Sequence, residues 1–124
     1  MPMQFQKPEY IIIYVNDMDR SLAFYRDILG LPLKFSSPGW SEFNTGTTTI
    51  ALHATPASRP ADQPGRTPSG VAQLGFMVDD LQAAYEALKA QDIVFTMPPQ
   101  KQSSGVTLAV LRDPDGLGIT LQQR

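Results

Sequence analysis

The chain has 124 residues, 42% of them hydrophobic and 18% charged, with a net charge of −2 and no cysteine. That balance predicts a soluble globular protein of one domain, or of two very small ones sharing a core. The absence of a basic run argues against nucleic acid or anionic membrane as partner, and the lack of cysteine removes disulfides, thiolate metal sites and cysteine nucleophiles.

The amino-terminal MPMQFQKPEY lacks the apolar core of a signal peptide, and no run approaches membrane-spanning length, so a cytoplasmic location is expected. Residues 10–15, YIIIYV, are apolar and rich in β-branched side chains and predict a strand. From Met18 the period changes: Met18, Leu22, Tyr25 and Leu29 form the single apolar stripe of a helix of about three turns. Asp17 stands at the N-cap, and Gly30 with Pro32 supplies the stop. A short strand is expected within residues 31–36. Residues 40–53 then read as a hairpin broken near Thr45-Gly46. With a two-residue turn, Phe43, Thr48, Ile50 and Leu52 share an apolar face, and Trp40, Glu42, Thr49, Ala51 and His53 share the other.

Residues 54–70, with four prolines, read as an exposed linker or long loop. Residues 71–124 repeat the pattern of residues 8–53. Val78, Asp80, Leu81, Tyr85 and Leu88 match Val15, Asp17, Met18, Leu22 and Tyr25 at a constant offset of 63, and Ile119, Thr120, Leu121 and Gln122 match Ile50, Ala51, Leu52 and His53 at 69. A strand at 72–78 leads through an Asp cap into an amphipathic helix. A strand at 93–97 and a hairpin of 106–112 and 117–122 around Asp113-Pro114-Asp115-Gly116 complete the unit. The order strand, helix, strand, strand, strand thus occurs twice, as module one (8–53) and module two (71–124) of a single domain spanning 1–124. Asp113 and Asp115 read as turn formers rather than paired catalytic acids.

Three stretches, YVNDMDRSLAFYRDILGLPL at 14–33, MVDDLQAAYEAL at 77–88 and DPDGLGITL at 113–121, resemble the vicinal oxygen chelate superfamily. That superfamily holds glyoxalase I, extradiol dioxygenases, fosfomycin-resistance enzymes and bleomycin-resistance proteins. The resemblance implies an α+β fold in which two βαβββ modules form a cup-shaped, eight-stranded mixed sheet with helices outside and the site in the concavity. Modules pair within a chain or are swapped between two, and a homodimer is common. Metal-dependent members place His, Glu or Gln at four positions, which fall here on Tyr10, Ala51, Gln73 and Thr120. Alanine cannot bind a cation and one amide does not hold a divalent metal, so neither metal nor other cofactor is expected.

The expected ligand face carries Tyr10, Ile12, Tyr14, Trp40, Glu42, Ala51 and His53, joined by Gln73, Met77 and Thr120 from module two. This aromatic, mostly apolar wall with a few polar groups suits a small molecule, and Glu42 would supply a countercharge to a cation. Other readings stand beside it: the two tyrosines fill a collapsed concavity, Trp40 anchors a dimer interface, and Glu42 is a solvated strand residue. The leading expectation is a metal-independent protein that takes up a small, flat or cationic organic molecule, as bleomycin-resistance proteins do. The alternatives are a lyase or isomerase with His53 as general base and Tyr10 or Tyr14 as acid, a metal-dependent glyoxalase or dioxygenase using His53, and an interaction module closed by packing.

Overall fold

The computed structural model describes residues 3–56 and 71–124. The backbone divides into two compact units, Met1–Arg59 and Pro60–Arg124, and each runs strand, helix, strand, strand, strand. Of the proline-rich stretch expected as a linker, Ala54 closes a strand, while residues 57–70 lie outside the described residues.

Unit one contains β1 (Tyr10–Val15), α1 (Met18–Leu22), β2 (Leu33–Phe35), β3 (Trp40–Asn44) and β4 (Thr49–Ala54), in the sheet order β1-β4-β3-β2. β1 lies parallel to β4, and the other pairings are antiparallel. Alternation along β1 sends Ile13 and Val15 into the core and leaves Tyr10, Ile12 and Tyr14 on the open face. Asp17 has extended backbone and its carboxylate accepts from the amide of Arg20 at 3.1 Å, the N-cap that the sequence predicts. Tyr25, on the continuation of this helix, and Phe43 and Leu52 of the sheet are fully buried, with the rings of Tyr25 and Phe43 6.2 Å apart.

The expected three-turn helix is not uniform. After Leu22 it widens into a π-helical turn over Ala23–Ile28, where the amide of Leu29 donates to the carbonyl of Phe24 at 2.9 Å. Phe24 and Tyr25 lie within the widened turn. They are adjacent, both buried, and edge-to-face at 5.0 Å. Gly30, at φ 75°, ends the helix as expected.

The β3–β4 hairpin corrects the expected turn length while keeping the expected faces. Phe43 pairs with Ile50, Glu42 with Ala51 and Trp40 with His53. The loop between the strands is Thr45–Thr48 rather than Thr45-Gly46 alone, closed by Asn44 Oδ1 accepting from Gly46 and by a Thr45 hydroxyl donating to the carbonyl of Thr48. A slip of two residues preserves the side-chain alternation, so each residue stays on its predicted side.

Unit two contains β5 (Leu74–Met77), α2 (Leu81–Lys89), β6 (Phe95–Lys101), β7 (Thr107–Arg112) and β8 (Gly118–Gln123), ordered β5-β8-β7-β6. Asp80 caps α2 by accepting from Ala83 at 3.0 Å, and Leu81, Leu111 and Ile119 form the buried centre. The strand expected at 93–97 instead starts at Phe95 and continues through Pro98 and Pro99 to Lys101. Proline lacks the amide that a ladder needs. It is tolerated here because β6 is an edge strand whose pairing shifts between Met97 and Gln100. The Asp113–Gly116 turn forms as expected, with Gly116 at φ 90°.

The two units share one register. Ile12 faces Ala51 and Tyr14 faces His53 in the first, while Gly75 faces Thr120 and Met77 faces Gln122 in the second. The offsets of 63 and 69 carry one set onto the other, so the duplication read from sequence is a duplication of hydrogen-bond pattern. Among the described residues no helix is long and apolar enough to cross a membrane.

Candidate functional site

The open face of the first sheet carries a continuous row of rings. Tyr10 meets Trp40 edge-on at 6.4 Å, Trp40 meets His53 at 5.5 Å, and His53 meets Tyr14 at 5.2 Å with the planes tilted by 34°. The register places them: Trp40 lies opposite His53 across β3–β4, and His53 lies opposite Tyr14 across β4–β1. Tyr14 is 61% exposed and Tyr10 50%, and Ile12 between them is 44% exposed. Large apolar groups left open together on one face mark a binding surface more often than isolated ones do.

Trp40 is fixed at both its backbone and its ring. The hydroxyl of Ser37 accepts from the Trp40 amide at 3.2 Å and donates to the Trp40 carbonyl, closing the β2–β3 turn. The indole Nε1–H donates to Glu42 Oε2 at 2.7 Å. Glu42 Oε1 lies 3.7 Å from the ammonium of Lys34, and the Glu42 side chain is only 9% exposed. Glu42 is therefore not a solvated strand residue. Its carboxylate is engaged on both oxygens.

The remaining expected site residues lie in both units. Ala51 is fully buried between Ile12 and Glu42 and offers no donor atom. Met77 and Thr120 occupy the corresponding face of the second sheet. Gln73 precedes β5, and its carboxamide lies over Gly118, where a Cβ would come within 2.6 Å of Gln73 Nε2. The positions that the resemblance assigns to metal ligands hold a phenol and a methyl in the first unit, Tyr10 and Ala51, and a carboxamide and a hydroxyl in the second, Gln73 and Thr120, and neither pair is a strong donor set for a divalent cation. Among the described residues, no three of His, Cys, Asp and Glu gather. No carboxylate among them orients the His53 imidazole, whose described neighbours are the Tyr14 and Trp40 rings.

Lys34 is a site residue that the sequence alone does not reveal. β2 bulges between Leu33, which faces Phe43, and Phe35, which faces Glu42, and this extra residue aims Lys34 at Glu42. A three-residue strand gives no periodicity from which a bulge could be read. A concavity of about 440 Å³ also opens beside Asp17, Met18, Asp19, Leu22 and Ser36–Pro38, but none of the ring residues lines it.

Two βαβββ units with matching internal strand registers define a duplicated-module α+β class of protein. Residues 7–121 match the model of the Glyoxalase/Bleomycin resistance protein/Dioxygenase superfamily, and the chain belongs to that family. It is 28% identical over 113 residues to the uncharacterized protein YraH of Bacillus subtilis (strain 168), covering 85% of this chain and 88% of that one. The fold is similar to that of a glyoxalase/dioxygenase from Nostoc punctiforme, with TM-score 0.83, 24% identity, and 95% and 90% of the two chains covered. It is also similar to a lactoylglutathione lyase from Agrobacterium tumefaciens, with TM-score 0.72, 23% identity, and 95% and 96% covered.

Proposed function

We propose that the protein binds a small, planar organic molecule on the ring-lined face of its first sheet, without a metal ion. The observation that carries this reading is the contact row Tyr10–Trp40–His53–Tyr14. Module two provides an internal comparison. At the positions equivalent by register to Tyr10, Trp40, His53 and Tyr14 it has Gln73, Leu108, Gln122 and Met77, none of them aromatic. Duplication alone therefore does not account for the row. Rings standing half exposed in contact offer stacking surface, and Trp40, His53 and the two phenols add a few polar edges, the usual make-up of a small-molecule site.

The metal-free part of the reading rests on the chemistry of Tyr10, Ala51, Gln73 and Thr120, which supply no strong ligand set. A homodimer in the cytoplasm belongs to the same proposal, supported by the family resemblance and by the absence of cysteine. Trp40 is the only tryptophan, so its emission reports on this face alone. Titration with a library of planar aromatic compounds is expected to give saturable changes that Tyr14→Ala weakens. No response to any class of compound would refute the binding reading, and a stoichiometric divalent ion in protein purified without chelators would refute the metal-free one.

A further inference from the structure

The trio Lys34, Glu42 and Trp40 bears on what charge the ligand carries, an inference that rests on the binding reading above. Module two repeats the β2 bulge: Phe95 faces Leu111 and Met97 faces Val110, as Leu33 faces Phe43 and Phe35 faces Glu42. Thr96, Val110 and Leu108 therefore stand where module one has Lys34, Glu42 and Trp40. Neither the two charges nor the indole recurs in the second copy, as expected of groups that work as a unit.

Within the trio the charges cancel. The Glu42 carboxylate, nearly buried, takes the indole N–H on one oxygen and faces the Lys34 ammonium on the other. Lys7 and Glu9, just before β1, also pair with each other, at 3.2 Å. An organic cation arriving at the rings must displace Lys34 to reach Glu42, exchanging one ion pair for another. An anion drawn to Lys34 leaves a buried carboxylate without its cation, which is costly. A neutral molecule disturbs neither.

We infer that this face selects neutral planar aromatic or heteroaromatic molecules, with Lys34 the residue that turns organic cations away and Glu42 the one that positions the Trp40 ring. This replaces the countercharge role that the sequence suggested for Glu42. Lys34 acts by occupying the carboxylate, so removing its ammonium must open the site to cations.

The test uses three probes of similar shape at neutral pH: quinoline, N-methylquinolinium and naphthalene-2-carboxylate. Binding to the full chain is followed by the single indole N–H resonance of Trp40. The wild-type chain should bind quinoline at least about threefold more tightly than either charged probe. Lys34→Met, a change at a side chain 58% exposed, keeps the Trp40–Glu42 bond and should raise N-methylquinolinium affinity relative to quinoline about tenfold. Adding Glu42→Gln should abolish that gain. A wild-type preference for the cation, or no change of ranking in Lys34→Met, overturns the inference and leaves the binding reading standing. Failure of every probe at millimolar concentration to move the resonance overturns both.

Discussion

Replacing Asp113 separates a structural role for the Asp-Pro-Asp-Gly turn from a chemical one. The Asp113 side chain is buried, at 5% exposure, and its Oδ1 accepts from the amides of Asp115 at 2.9 Å and Leu117 at 2.7 Å. Hydrogen bonds to an ionised acceptor contribute about 1.5–3 kcal/mol each. Asp113→Ala removes both, and because the two amides are only partly buried, water recovers a share. The expected loss is about 3 kcal/mol, a large fraction of the 5–15 kcal/mol typical of a domain. Asp113→Asn keeps an acceptor oxygen at the same place and gives up the charge, with a smaller expected loss of about 1 kcal/mol. Urea unfolding of the full chain, followed by far-ultraviolet circular dichroism, gives both values from midpoints at unchanged slope. A cost for Asp113→Ala within about 0.5 kcal/mol of zero, or equal costs for the two variants, would refute the reasoning.

Three further outcomes are expected. Asp17→Ala and Asp80→Ala each remove one N-cap bond and should each cost about 1 kcal/mol in the same unfolding assay. Phe43→Ala empties a fully buried ring site against Tyr25 and should cost about 3–5 kcal/mol, seen as a lowered Tm in calorimetry. The hydrogen bonds from Arg26 hold the Asp27 carboxyl below its usual pKa, so any stability they give is complete above the ordinary carboxylate range and is lost as pH falls through the lowered value. Both side chains are exposed, so the Tm difference between wild type and Asp27→Asn should be small at neutral pH and vanish in acid.

Local chemistry was legible in the sequence wherever one residue decides one feature. Asp17 and Asp80 mark the helix starts, Gly30 and Gly116 mark positive φ, and the offsets of 63 and 69 recover the matched registers. Features set by competition between neighbours were not. The π-helical turn holds Phe24 and Tyr25, both buried, and an apolar stripe drawn through Tyr25 alone passes over Phe24. β6 runs through Pro98-Pro99 because it lies at an edge, which no local pattern reveals. In the candidate site, alternation along each strand put Tyr10 with Tyr14 and Trp40 with His53 on one face, but the β1–β4 and β3–β4 registers that bring the rings into contact are not a local pattern. The burial of Glu42 is not one either, since it depends on Trp40 beside it and on Lys34, which only a bulge directs there.

The parallel closure of each sheet has a consequence for how the chain acquires its structure. Among the described residues β1 has β4 as its one strand partner and β5 has β8, so in each half the first strand synthesised waits for the last. Until Thr49–Ala54 has left the ribosome, YIIIYV has no ladder to join, and its isoleucines remain open to chaperones and to other nascent chains. Slowing translation across residues 49–54 should therefore lower the soluble yield more than slowing it across residues 33–44, where the antiparallel neighbours β2 and β3 can already pair.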